Sequence, residues 1–228
     1  MERKGAGVQE PDLNLSLADQ AYRRIEEMIV ERVLPPGSML SEKQLCEELD
    51  FGRTPIREAM QRLRIEGYIV IMPSRGALVA PIDVLAQLDL LEMRRPLEDL
   101  LVRLGADRAT LSQRNELKML ADALCSAAQA GDRPAFFRTN RGLQQVQCEA
   151  GHNGLLARTM LVVYGQSRRF WYTALDDTSL MERAAEQHRV TALAIAERDA
   201  DAAAASVETF LQFLEELTRT TLDRRRPA

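Results

Sequence analysis

Two helix starts in close succession, Ser41-Glu42-Lys43-Gln44 and Thr54-Pro55, constrain this chain more than any other feature of its sequence. The first has the form of a capping box: the Ser41 hydroxyl takes the amide three residues on and Gln44 reaches back, with Leu40 and Leu45 as hydrophobic staple. The second predicts Thr54 as N-cap and Pro55 at the first helical position, where a missing N–H is harmless. Ile56, Ala59, Met60 and Leu63 give that helix an apolar stripe, and Leu49-Asp50-Phe51-Gly52 supplies the turn between the two. Upstream, Ala21, Ile25, Met28 and Ile29 mark one face of a helix that begins near Leu17, with Arg23, Arg24, Glu26 and Glu27 lying elsewhere, and it stops before Pro35-Pro36-Gly37. Downstream, the β-prone runs Tyr68-Ile69-Val70-Ile71-Met72 and Ala77-Leu78-Val79-Ala80 flank the turn Pro73-Ser74-Arg75-Gly76. Three helices and a β-hairpin wing over residues 17–82 spell a winged helix-turn-helix.

This reading accounts for an electrostatic oddity. Arg53 and Arg57 occupy the first turns of a short helix, where the macrodipole disfavours cations by up to about 1 kcal/mol. A recognition helix needs them there, because its N-terminal residues meet base edges, and one bidentate Arg–guanine contact discriminates by about 1–3 kcal/mol. Across residues 51–76, Arg53, Arg57, Arg62, Arg64 and Arg75 outweigh Glu58 and Glu66, a local positive patch within a chain of net charge -4.

Past residue 83 the pattern is almost all helical. Apolar residues recur at helical spacing through residues 85–109 and again around 111–129, 134–149, 154–175, 179–197 and 200–222, which predicts an all-α antiparallel bundle over 83–228 with any ligand site at its centre. Residues 1–16 are expected to form a disordered tail, and Arg224-Arg225-Arg226 a solvated end. Cys46, Cys125 and Cys148 have no ligand or pairing spacing and read as packed thiols of a reducing compartment. With no signal-like N-terminus and no long apolar run, the chain reads as soluble and cytoplasmic, with no membrane partner. Gly-rich phosphate loop, nucleophile elbow, His-Glu-x-x-His and paired-cysteine motifs are all missing, and 2 histidines leave little acid–base capacity, so enzymatic chemistry is not expected.

Residues 21–80 resemble the DNA-binding domain of the GntR family of bacterial transcription regulators, through Pro36-Gly37, Arg53-Thr54-Pro55-Ile56-Arg57-Glu58-Ala59 and Arg75-Gly76. The resemblance implies operator contacts from Arg53, Thr54 and Arg57 on the recognition helix, a basic contact from Lys43, a wing contact from Arg75, and close wing approach to the minor groove at Gly76. It implies double-stranded operator DNA as partner and, since one winged helix covers only a half-site, a homodimer on a palindrome. Gly52 departs from the small hydroxyl residue that the family usually has before this arginine.

The second half resembles the FCD-type effector-binding domain of the FadR subfamily, through Arg94-Arg95-Pro96-Leu97-Glu98, Gly151-His152-Asn153, Gln187-His188 and Ala194–Asp199. Many members of that subfamily hold a divalent metal on an Asp, a His four residues on, and two further His. The corresponding positions here are Asn140, Gln144, His188 and Phe210, so no metal and no other cofactor is expected. The resemblance instead implies a small anionic effector, most simply a carboxylate, held by Arg94, Asn140, Gln144, Arg169 and His188. Arg168 is a weaker candidate, and Trp171 and Tyr172 are expected to pack rather than line the pocket. For Arg94 the competing reading is a structural pair with Glu98 one turn on. A metal-dependent member of the subfamily, sensing a divalent cation or a metal-bound carboxylate, is the alternative mechanism.

Overall fold

The computed structural model describes residues 15–72, 76–175 and 177–225, the side chains of 222–225 excepted. Most of the expected N-terminal tail, the wing residue Arg75 and the terminal Arg226 lie outside the described residues. The chain divides into two compact units, Met1–Pro81 and Ile82–Ala228.

The first unit is a winged helix-turn-helix built from α1 (Leu17–Val30), β1 (Met39–Leu40), α2 (Glu42–Leu49), α3 (Arg53–Ile65), β2 (Ile69–Met72) and β3 (Gly76–Val79). Ser16 caps α1 by accepting from the Asp19 amide, and Ser41 caps α2 by accepting from the Gln44 amide at 3.4 Å. Asp50 ends α2 in the left-handed conformation (φ 56°), a region that Asp visits more readily than most residues. Ala21, Ile25, Ile56, Leu63 and Tyr68 are fully buried between α1, α3 and the sheet. The antiparallel sheet has the order β1-β3-β2, with Met39 opposite Leu78 and Ile69 opposite Val79.

Four features of this unit depart from the sequence reading. The N-cap of α3 is Gly52, without a side-chain cap, so Arg53 and Thr54 stand inside the first turn and Pro55 follows them. Proline remains harmless, because none of the first-turn amides has an intrahelical acceptor. Glu26, expected off the apolar face, is 2% exposed and sits beneath the Tyr68 hydroxyl at 3.5 Å. Strand β1 has no counterpart in the sequence reading, since two residues carry no period. In addition, Arg62 leaves the basic patch: it lies over the Tyr22 ring at 3.8 Å and pairs with Glu66 and Asp19.

The second unit is the helical bundle α4 (Val84–Arg108), α5 (Leu111–Gln129), α6 (Arg133–Ala150), α7 (Gly154–Ala174), α8 (Thr178–Ala196) and α9 (Ala200–Arg225). These helices occupy the segments marked by the apolar periodicity. A side-chain oxygen caps α4 through α8 in turn, from Asp83, Thr110, Asp132, Asn153 and Asp177, which explains why the connections are so short. At Gly105, an added Cβ would meet Ile195 at 3.5 Å and Ala150 at 3.8 Å, so α4 runs close to both α6 and α8.

Candidate nucleic-acid interface and central cavity

In the first unit, the N-terminal turns of α2 and α3 carry the residues expected to meet DNA. Lys43 is 80% exposed and only loosely paired with Glu47, at 3.9 Å. Arg53 and Thr54 are exposed, as is Gly76 at the start of β3. The φ of Gly76, +86°, is one that other residues rarely adopt, so a side chain at this position would strain the backbone. Arg57 is also exposed, and its Nε donates to Glu42 Oε2 at 2.7 Å.

In the second unit, α4, α6, α7, α8 and α9 enclose a cavity of about 30 Å³, lined by Arg94, Asn140, Gln144, Arg168, His188 and Ser167 on its polar side and by Phe136, Phe137, Trp171, Phe210 and Leu214 on its apolar side. Arg94 is 1% exposed and bound to Glu98: Nε donates to Oε2 at 2.9 Å and Nη2 lies 2.8 Å from the same oxygen. The Nη2 hydrogens are nevertheless poorly directed at any acceptor among the described residues. Tyr164 donates to the other Glu98 oxygen at 2.9 Å. Ser167 Oγ is a hub, accepting from Arg94 Nη1 at 3.0 Å, Trp171 Nε1 at 2.8 Å and Gln87 Nε2 at 3.4 Å. Beside it, Arg168 Nη1 donates to Gln144 Oε1 at 2.8 Å, and Asn140 Nδ2 lies 2.8 Å from His188 Nε2.

The structure therefore brings Arg94, Asn140, Gln144 and His188 together but leaves Arg169 outside the lining, where its Nη1 reaches Gln166. One step along a helix turns a side chain through about 100°, and that step selects Arg168 instead. Trp171 lines the cavity, contrary to expectation, while Tyr172 packs on Phe137 with ring centroids 4.8 Å apart. Ser167 and Tyr164 carry no sequence signal of their own. Their roles depend on Arg94, Glu98 and Trp171 meeting them across α4 and α7.

Burial, and then the Arg94 cation, hold the His188 pKa down at about 3, so the imidazole is neutral. It has one polar partner in Asn140, and Phe210 packs against it with ring centroids 4.5 Å apart. The donor set does not fit a divalent transition metal. It offers one imidazole, two weak neutral carboxamides and a phenyl ring, with two guanidiniums nearby to repel a cation. Among the described residues, no group of three or more His, Cys, Asp or Glu side chains is placed to hold a metal ion.

A neutral buried histidine makes stability depend on pH. Between its ordinary value near 6.5 and its folded value of about 3, the unfolded chain binds a proton that the folded chain refuses. Its contribution to stability is complete above pH 6.5 and is lost as pH falls through that window. The slope is at most about 1.4 kcal/mol per pH unit. His188→Gln, which keeps a partner for Asn140, is expected to flatten the acid limb of the stability curve by that amount. An acid limb identical to wild type in denaturant titrations would show that folding does not depress the His188 pKa.

No helix among the described residues is long and apolar enough to cross a membrane. The family model for bacterial regulatory proteins of the gntR family matches residues 17–79, and that for the FCD domain matches residues 89–213. The chain is 28% identical over 200 residues to the HTH-type transcriptional repressor RspR of Escherichia coli (strain K12), covering 88% of each chain. It is 26% identical over 220 residues to the galactonate operon transcriptional repressor of the same strain, covering 87% of this chain and 95% of that one. Among solved structures, E. coli McbR/YncC shares the fold with a TM-score of 0.77 at 21% identity, over 91% of this chain and 99% of that one. A gntR-type winged helix-turn-helix followed by an FCD domain is the architecture of the FadR-like subfamily, and this chain belongs to that branch of the gntR family: it is a DNA-binding transcription regulator, not an enzyme.

Proposed function

We propose that this regulator is a homodimeric repressor of a metabolic operon, which holds a palindromic operator through Lys43, Arg53, Thr54, Arg57, Arg75 and Gly76 and responds to a small carboxylate in the central cavity of its helical domain. The observation that carries the effector reading is the convergence of Arg94, Asn140, Gln144, Arg168 and His188 from four helices on one cavity. Guanidiniums and amides are the donors that recognise a carboxylate, and such bonds are strongest away from water. The repressor reading rests on likeness to relatives that are named repressors.

At about 30 Å³ the cavity has room for roughly two water molecules and is smaller than a metabolite. A carboxylate must therefore displace side chains as it enters, and the Arg168–Gln144 and Asn140–His188 contacts are the ones it would replace. Binding that rearranges contacts among α6, α7 and α8 has the differential character a conformational signal needs.

A thermal-shift screen of organic acids, sugar acids and acyl thioesters, with and without chelator, tests this. An acid is expected to raise the melting midpoint equally in both conditions, and Gln144→Leu to abolish that shift. A shift that needs metal, survives Gln144→Leu, or is produced by no acid would refute the effector reading.

A further inference from the structure

The contact between Arg57 and Glu42 joins the two helices of the helix-turn-helix at the face expected to meet DNA. Glu42 is the first residue of α2, behind its cap Ser41, where a carboxylate suits the helix dipole. Arg57 comes from the second turn of α3, and the two side chains meet with 63% of the arginine and 42% of the glutamate still exposed. A guanidinium offers donors along a side edge, which includes Nε, and an end edge formed by its two terminal nitrogens. Glu42 takes Nε at 2.7 Å. The end edge makes no hydrogen bond among the described residues, so the fork that fits guanine O6 and N7 is left facing outward. Lys43, the cation next to Glu42 in sequence, is turned to Glu47 at 3.9 Å and does not compete for the carboxylate.

We infer that Glu42 is a positioning residue for operator recognition: it holds the side edge of Arg57 and presents the end edge to a guanine. The inference rests on the reading of α3 as the recognition helix. It assigns Glu42 two effects that add to specificity. An arginine already held by one edge loses less freedom when the other edge binds. A carboxylate within the interface also repels phosphates wherever the fork finds no matching base, which weakens binding to unrelated DNA. Removing the charge is therefore expected to loosen the cognate complex while leaving the non-cognate complex unchanged or tighter. A purely structural contribution would weaken both together.

The experiment uses the full-length protein and two probes: a duplex selected by the wild-type protein from a random pool, and a duplex of the same composition with the site shuffled. Glu42→Gln is expected to lower the ratio of the two affinities by about tenfold or more, the scale of one bidentate base contact. The shuffled duplex is expected to bind no more weakly than before, with the melting midpoint unchanged. In an Arg57→Lys background, which has no Nε edge to hold, Glu42→Gln is expected to change the ratio by less than in wild type, because only its repulsion of phosphates is left to lose. A wild-type ratio in Glu42→Gln, a parallel loss on both duplexes, or an equal effect in the Arg57→Lys background would each overturn the inference. Arg57→Ala binding the selected duplex like wild type would instead remove the recognition-helix reading beneath it.

Discussion

Replacing Arg57 with Ala is expected to abolish specific retention of the selected duplex while leaving the protein folded. A bidentate Arg–guanine contact is worth about 1–3 kcal/mol of discrimination, and the proposed homodimer would make it in both half-sites, so the expected loss is roughly 2–6 kcal/mol. That range corresponds to a fall of about thirtyfold to twenty-thousandfold in affinity. The cost to the fold is far smaller, because the exposed pair with Glu42 contributes about 0–1 kcal/mol. Gel retardation alongside a thermal melt separates the two. Wild-type retention would mean that α3 does not read bases through this residue.

The largest expected effect on stability is in the other unit. Arg94→Ala is expected to destabilise the helical domain by about 3–5 kcal/mol, since Glu98, 4% exposed, would be left as a buried charge without its cation. The midpoint should fall on the order of 10 °C for a domain of this size. Arg94→Met combined with Glu98→Gln removes both charges and is expected to recover much of the loss, which identifies the stranded carboxylate as the cause. A single Arg94→Ala variant melting like wild type would show that the ion pair contributes nothing. This double role limits Arg94 as a probe of effector binding, because a carboxylate must share it with Glu98. Gln144, whose loss strands no ionised carboxylate, is the cleaner test.

The bundle was legible in the sequence because each of its helices is long and bounded by a side-chain cap such as Thr110 or Asp132, so period and punctuation agree. The same agreement marked α1 and α2. At α3 the cue was real but misread by a turn fragment, since Thr54-Pro55 suits either the cap or the first turn and only the backbone distinguishes them. Glu26 was unreadable for another reason: its neighbour Tyr68 lies far along the chain, and local pattern places any glutamate in water. In the cavity, Asn140, Gln144 and His188 were picked out through the resemblance, as the positions that correspond to the subfamily's metal ligands, and local pattern alone would not have singled them out. The choice between Arg168 and Arg169 depended on the rotation of α7 about its axis, which period alone fixes too loosely. Ser167 was invisible, because a serine gains its role only from the three donors that surround it.

The neutrality of His188 has a consequence for what the helical domain can report. Of the described side chains that line its cavity, His188 alone has an ordinary pKa near neutrality, and burial has moved that titration to about 3. Burial likewise pushes the hydroxyl of Tyr164, also in the lining, further from ionising. Neither the imidazole nor the phenol therefore changes its charge between mildly acidic and mildly alkaline surroundings. These two groups would then leave the response to the proposed carboxylate set by its abundance and by its own protonation.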